Sequence, residues 1–300
     1  MKHPRQMTFI GFILLLTFCV FPGHGQTKRP KIYISVDMEG IGAIVSQAQT
    51  SDTQFDYARG RKLMTDQVNA AIEGCLAAGA GEIVVSDSHG NAQNILPEEL
   101  NEAAFLIRSF PRGLLQMEGV DGSFDGAIFI GYHPMEGTPN GNLSHTIMGA
   151  KIHELKINGM PVSEAIFNAA VAGHFNVPLI MIAGDQNVTK EALQTFGQIE
   201  TATTKESLGW LSARARHPRL VCREIKEKSQ AAVERIKEMK PYVVKPPIRM
   251  DLTFKNIYDA EAFSYLPWVK RPSGKTILVE ADNILDINRF ITAIFAINSR

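Results

Sequence analysis

The sequence predicts an α/β fold, with a mostly parallel sheet, helices on both of its faces and a smaller α+β subdomain behind it. Three observations carry this. Short β-rich apolar runs alternate with segments of helical spacing through the first two hundred residues. Those runs are apolar almost throughout, as in strands buried on both faces. The remaining third changes character, to a charged amphipathic segment and an alternating strand. Lys31 to Val36 reads as the first buried strand. Tyr57 to Ala78 has helical spacing, with Leu63, Val68, Ala71, Ile72 and Leu76 on one side, and Gly79 and Gly81 stop it. Glu82 to Ser86 and Gly126 to Gly131 are further strands. Val162 to Ala172 is a helix, Val177 to Ala183 a strand, and Thr189 to Thr195 opens another helix. Beyond a soft boundary near residue 200, Ser229 to Met239 is an amphipathic helix ended by Pro241. Ile248 to Lys255 and Thr276 to Glu280 are strands, and Ile284 to Ile297 is a closing helix. The division is then 1–25, 26–200 and 201–300.

The chain has 300 residues, 45% hydrophobic and 21% charged, with 31 basic and 31 acidic side chains. Such a composition excludes a disordered or collagen-like chain. Zero net charge supplies no general basic field for nucleic acid. Three cysteines make no disulfide scaffold, and Cys75 and Cys222 read as small buried hydrophobes. Residues 1–25 stand apart. Lys2 and Arg5 precede an apolar block from Phe9 to Phe21, and Pro22-Gly23-His24-Gly25 follows. This is the pattern of a cleaved signal peptide, and the block is short for the roughly 20 residues of a membrane span. The expectation is a secreted or periplasmic protein with no stable membrane span after cleavage. Cys19 follows the bulky Phe18, which disfavours a lipoprotein. Residues 26–300 carry 29 basic and 31 acidic groups, a net charge of −2. Phe263, Tyr265 and Trp268 read as core aromatics rather than interface ones.

Three strands run into residues able to bind metal: Asp37-Met38-Glu39-Gly40, Asp87-Ser88-His89-Gly90 and Gly131-Tyr132-His133. In open α/β sheets, ligands bind beyond the carboxyl ends of the strands. If the strands are parallel neighbours, Asp37, Glu39, His89 and His133 converge. On a continuing strand Asp37 and Glu39 would face one side. Two carboxylates and two imidazoles suit zinc or another divalent metal of intermediate softness. Taken singly, an Asp or His at a strand end is more often a turn or capping residue; the coincidence at three strand ends is what raises the metal reading. A Gly/Pro-rich loop from His133 to Ser144 ends in His145, a candidate acid or base. Glu164, in Asn158-Gly159-Met160-Pro161-Val162-Ser163-Glu164, could be no more than a carboxylate favoured by a helix N-terminus.

Together these segments resemble the zinc-dependent D-aminopeptidase family, in the family's order and over about residues 30–300. Ala183-Gly184-Asp185 adds to the likeness, and the C-terminal part matches only loosely. The resemblance implies two zinc ions per subunit. Asp37 matches the carboxylate shared between them, Glu39 and His89 the ligands of one, and His133 and Glu164 those of the other. His145 matches a histidine beside the metals that serves as base or nucleophile. The implied activity is a dizinc aminopeptidase acting on short peptides with N-terminal D-residues such as D-Ala. The implied assembly is a homo-oligomer, a ring-shaped homodecamer. A non-catalytic metal- or peptide-binding envelope protein, or another amidohydrolase on the same scaffold, is the alternative.

Overall fold

The computed structural model describes residues 28–298 together with Met1 and His3, so the leader lies outside the described residues. The elements run in chain order as β1 (Lys31–Val36), α1 (Gln47–Thr50), α2 (Tyr57–Ala77), β2 (Glu82–Asp87), β3 (Ala104–Ile107) and β4 (Gly126–Tyr132). Then come β5 (Ile152–Ile157), β6 (Met160–Pro161), α3 (Glu164–His174), β7 (Leu179–Asp185), α4 (Gln186–Phe196), β8 (Glu200–Gly209) and β9 (Ser212–Ala215). The chain ends with α5 (Pro218–Glu234), β10 (Ile248–Phe254), α6 (Ile257–Ser264), β11 (Thr276–Ala281) and α7 (Ile284–Asn298).

Seven strands form one sheet in the order β3-β2-β1-β4-β7-β8-β9. Every pairing in it is parallel except the β8–β9 hairpin. Side chains alternate across this sheet. Ile32, Ile34 and Val36 of β1 face α2 and α5, where they meet Met64, Val68, Ile72, Val221 and Ile225. Tyr33 and, on β4, Phe129 face the opposite way, into a core shared with α3, β10 and α7. Both faces are covered, which is why the strands are apolar runs.

A second, antiparallel sheet has the order β11-β10-β5-β6. The two sheets do not divide at residue 200. β5, which carries β6 on its other edge, pairs forward with β10, while β8, β9 and α5 belong to the main sheet and its α2-side layer. The physical reason is the apolar inner face of β5 (Ile152, Leu155, Ile157), which is buried by β10 and β11.

The amphipathic helix begins at Pro218, well before Ser229. Pro218 occupies the first turn and His217 accepts from the Arg219 N–H, so an unusual cap side chain conceals the start. The helix ends at Glu234, and a short 3₁₀ turn (Ile236–Glu238) follows. Phe263 stacks on Phe254 and meets Phe290 edge-on, as a core residue. Tyr265 and Trp268, which follow the end of α6, instead stand 76% and 63% exposed. Cys75 and Cys222 are free; burial pushes the Cys75 thiol up to about 12.

Candidate metal centre

β1 lies between β2 and β4. The chain steps outward from β1 through β2 to β3, returns to β4, and steps outward on the other side through β7 to β8. The order therefore reverses between β1 and β4, and such a reversal opens a crevice at the carboxyl ends of the two strands. Asp37 follows β1 and His133 follows β4 into that crevice.

The two strand ends approach unusually closely. The Asp37 N–H donates to Ile130 O at 2.8 Å and the Gly40 N–H to Gly131 O at 2.7 Å. A β-carbon on Gly131, whose φ is +74°, would stand 2.1 Å from Asp37 O, and one on Gly40 would stand 1.9 Å from Tyr132 O. Glycine at both positions is what lets the ligand-bearing turns touch. β1 ends at Val36, so Glu39 is carried by a turn rather than a continuing strand. Lys205, from β8, lies buried beneath that turn and donates to the carbonyls of Glu39 and Ile44. Burial pushes its ammonium down to about 8.

Beyond β2, Asp87 shapes the loop that carries His89. Its carboxylate accepts from the Asn94 and Ile95 N–H groups at 2.6 and 2.8 Å, and from the Asn94 amide at 2.8 Å. Glu164 opens α3, whose cap is Ser163, with its hydroxyl accepting from the Ile166 N–H. This places the Glu164 carboxylate at a helix N-terminus, as its sequence position implied.

All six residues singled out in the sequence come together. Asp37 has one oxygen 3.2 Å from His89 Nδ1 and the other 3.3 Å from His133 Nε2. Glu39 Oε2 stands 2.9 Å from His89 Nδ1, and Glu164 Oε1 stands 3.4 Å from His133 Nε2. His145 stacks on His133 with ring centroids 4.1 Å apart, and its Nε2 is 3.7 Å from Glu164 Oε1. Ligand atoms of Asp37, Glu39 and His133 fall within 4.8 Å of one another, as do those of His133, His145 and Glu164.

Each imidazole is oriented by a backbone carbonyl. His89 Nε2 faces Thr50 O at 2.8 Å, His133 Nδ1 faces Pro134 O at 3.0 Å, and His145 Nδ1 faces Leu143 O at 2.9 Å. A carbonyl only accepts, so these nitrogens carry hydrogen, and the other nitrogen of each ring faces the carboxylates. Metal-binding histidines are held in this way. His133 Nε2, buried, makes no hydrogen bond among the described residues. Three buried carboxylates and two inward-facing imidazole nitrogens thus fit a pair of zinc ions.

The electrostatics agree. Burial alone would raise the Glu39 and Glu164 carboxyls, but the charges of His89 and His133 override it and hold both below the usual range. Burial alone would lower His89 and His133. Glu39 and Glu164, each with help from Asp37, instead hold them well above the usual histidine value. Burial and the adjacent Glu39 charge raise Asp37. The cluster demands positive charge, which protons on the imidazoles provide and a divalent metal would provide better.

Behind the ligands runs a buried polar network that the sequence did not announce. Gln116 donates to Glu164 Oε2 and accepts from Asn168, which also donates to the Tyr132 hydroxyl. Tyr132 and Ser88 both bond to Ser35 at 2.7 Å. The second oxygen of Glu164 is therefore held while Oε1, which accepts from the Ile147 N–H, faces the histidines.

Fold and site together define an α/β protein with a carboxylate–imidazole metal centre at the switch point of its sheet. The chain belongs to the D-aminopeptidase family, whose profile matches residues 31–293. It is 33% identical over 259 residues to the D-aminopeptidase of Bacillus subtilis (strain 168), covering 85% of this chain and 93% of that one. A solved structure, the Zn-dependent D-aminopeptidase DppA from Bacillus subtilis, "a self-compartmentalizing protease", superposes with a TM-score of 0.85 at 31% identity. That match covers 89% of this chain and 98% of the other.

Proposed function

We propose that this peptidase is a dizinc D-aminopeptidase that removes N-terminal D-residues such as D-Ala from short peptides. The observation that carries the reading is the Asp37 carboxylate, with one oxygen directed at each of two imidazoles. Asp37, Glu39 and His89 would hold one zinc, and Asp37, His133 and Glu164 the other. When bound, the metals supply Lewis acidity to the scissile carbonyl and lower the pKa of nearby water.

The chain's own groups do the rest. His145 opens onto a cleft of about 710 Å³ whose walls also include Glu39, Leu143 and Trp210. With Nδ1 tied to Leu143 O, its Nε2 is the free base. It takes the proton of the attacking water and returns it to the leaving amine. Its stacking on the buried His133 ring fixes its plane.

In the purified, zinc-loaded protein, Asp37→Ala and His89→Ala are expected to lose bound metal and hydrolysis of D-Ala-D-Ala, by a thousandfold or more on the usual scale for metal-assisted hydrolysis, roughly. Full activity in Asp37→Ala would sink the assignment. Two tightly held zincs with no peptide hydrolysed would point to a binding protein instead.

The assembly is a homo-oligomer, and the homodecamer is its form by resemblance. The self-compartmentalizing relative and the exposed Trp210, Leu211, Tyr265 and Trp268 support this. Light scattering checks it: a mass near one 33.1 kDa chain contradicts an oligomer. Export to the periplasm or medium rests on the leader sequence, and fractionation tests it. No helix among the described residues is long and apolar enough to cross a membrane.

A further inference from the structure

Glu39 and His145 line the cleft, and so, immediately after β10, does Lys255, the only lysine or arginine among the described residues that line it. Its ammonium is fastened at two points, to Gly149 O at 2.6 Å and to Glu136 Oε1 at 3.1 Å. An ammonium has three donors, so one remains. The Lys255 side chain is 37% exposed, so it is reachable from the cleft.

Gly149 ties this cation to the catalytic wall. Its Cα face lies against His145, and a β-carbon there would stand 3.1 Å from His145 Cβ. Lys255 and the imidazole of His145 thus line one cleft, with Gly149 between them. In a dipeptide only one residue of chain, about 3.3–3.6 Å, separates the scissile carbonyl from the C-terminal carboxylate, so a substrate placed for His145 presents that carboxylate within the same cleft.

We propose that Lys255 receives the C-terminal carboxylate of the substrate, so that the enzyme selects free dipeptides over C-terminally capped ones. This deepens the aminopeptidase reading and rests on it. Glu136 is the acidic side chain of the cleft that the zinc ions would not offset, and it would repel a substrate carboxylate unless a cation met it. Glu136 holds Lys255 in place while the cleft is empty. A partly exposed ion pair contributes little by itself, so sharing the ammonium with an incoming carboxylate is easy. The arrangement also gives the second sheet a task, because β10 delivers the residue that measures substrate length.

The test compares D-Ala-D-Ala with its C-terminal amide on the zinc-loaded enzyme. Wild type is expected to favour the acid by about tenfold or more in kcat/KM, the scale of one charge-assisted hydrogen bond, with the difference carried by KM. In Lys255→Met the ratio of acid to amide falls to near one, and Lys255→Arg keeps most of it. The double variant Glu136→Gln/Lys255→Met separates loss of the cation from exposure of Glu136, and the ratio stays near one. Equal rates on acid and amide in wild type overturn the proposal while leaving the aminopeptidase reading intact. So does a preference restored in the double variant, or an equal loss on both substrates in Lys255→Met. If wild type cleaves no peptide at all, the aminopeptidase reading fails and this one fails with it.

Discussion

Gln116 donates to one oxygen of Glu164 and accepts from Asn168, so it links a ligand to the buried network. Gln116→Ala is expected to leave the fold standing and weaken metal binding about 10–100-fold, the range for groups that orient ligands. Competition against a calibrated chelator reads it, and an unchanged affinity would show that Ile147 alone holds the carboxylate. Protons and metal compete for the same histidines. His89 and His133 titrate above their ordinary value in the folded, metal-free protein, so their protonated forms add stability that is complete below about pH 6.5. That stability is lost as pH rises through the raised values. Glu39 and Glu164, held low, contribute stability above the ordinary carboxylate range and lose it as pH falls through their depressed values. The metal-free protein should therefore melt at lower temperature as pH climbs past neutrality, while the zinc-loaded protein holds its Tm. Parallel melting curves with and without chelator would contradict this. The cluster of candidate ligands was legible in the sequence because each lies just past a strand end or at a helix start, inside a short motif. Gln116 was not, because a glutamine in a 3₁₀ turn has no spacing that marks it. Thr50 was not either, because it serves through a backbone carbonyl that every residue has.

The close contact between the ends of β1 and β4 is a property of the elements, and it depends on Gly131. Gly131→Ala puts a methyl group against Asp37 O at a backbone angle that alanine resists. The expected loss is about 2–4 kcal/mol, with reduced zinc content, since the two ligand-bearing turns must part. Denaturant unfolding paired with metal analysis checks it; a stable, fully loaded variant would mean the turns shift together. β1, β2, β4 and β7 could be read from their apolar runs, and their ends fell within a residue or two; β3 and β8, only partly buried, show no such run and were not read. The second sheet was harder. β5 shows a half-buried pattern, with the charged Glu154 and Lys156 between its apolar positions, and β6 is only Met160–Pro161. Such strands exist because distant partners bury one face, which no local window contains.

At the scale of the whole molecule, β5 pairs with a strand nearly a hundred residues later, across the intervening β7, β8 and α5. A chain cut at residue 200 would leave the buried face of β5 bare and strip β8, β9 and α5 from the main sheet. The fragment 26–200 is expected to be insoluble or unfolded, as circular dichroism and gel filtration would show. A folded, zinc-binding fragment would reveal an independent unit. The parallel core and the convergence of its metal-capable strand ends could be inferred from order and spacing; the reversal of strand order between β1 and β4 could not. The closure of the second sheet could not, because it rests on which apolar faces remain unburied once the first sheet has formed.

The proposed ligands come from positions 37, 39, 89, 133 and 164, and two of the strand ends that present them meet only where the sheet order reverses. An unfolded chain offers no complete chelate, since long stretches of chain separate Asp37 and Glu39 from His89, His133 and Glu164, and the imidazoles lack their carbonyl supports. Metal captured at this site is accordingly a certificate of assembly. Each loaded molecule has brought both halves of its sheet to β1, and in a mixed population the zinc content counts the correctly built chains.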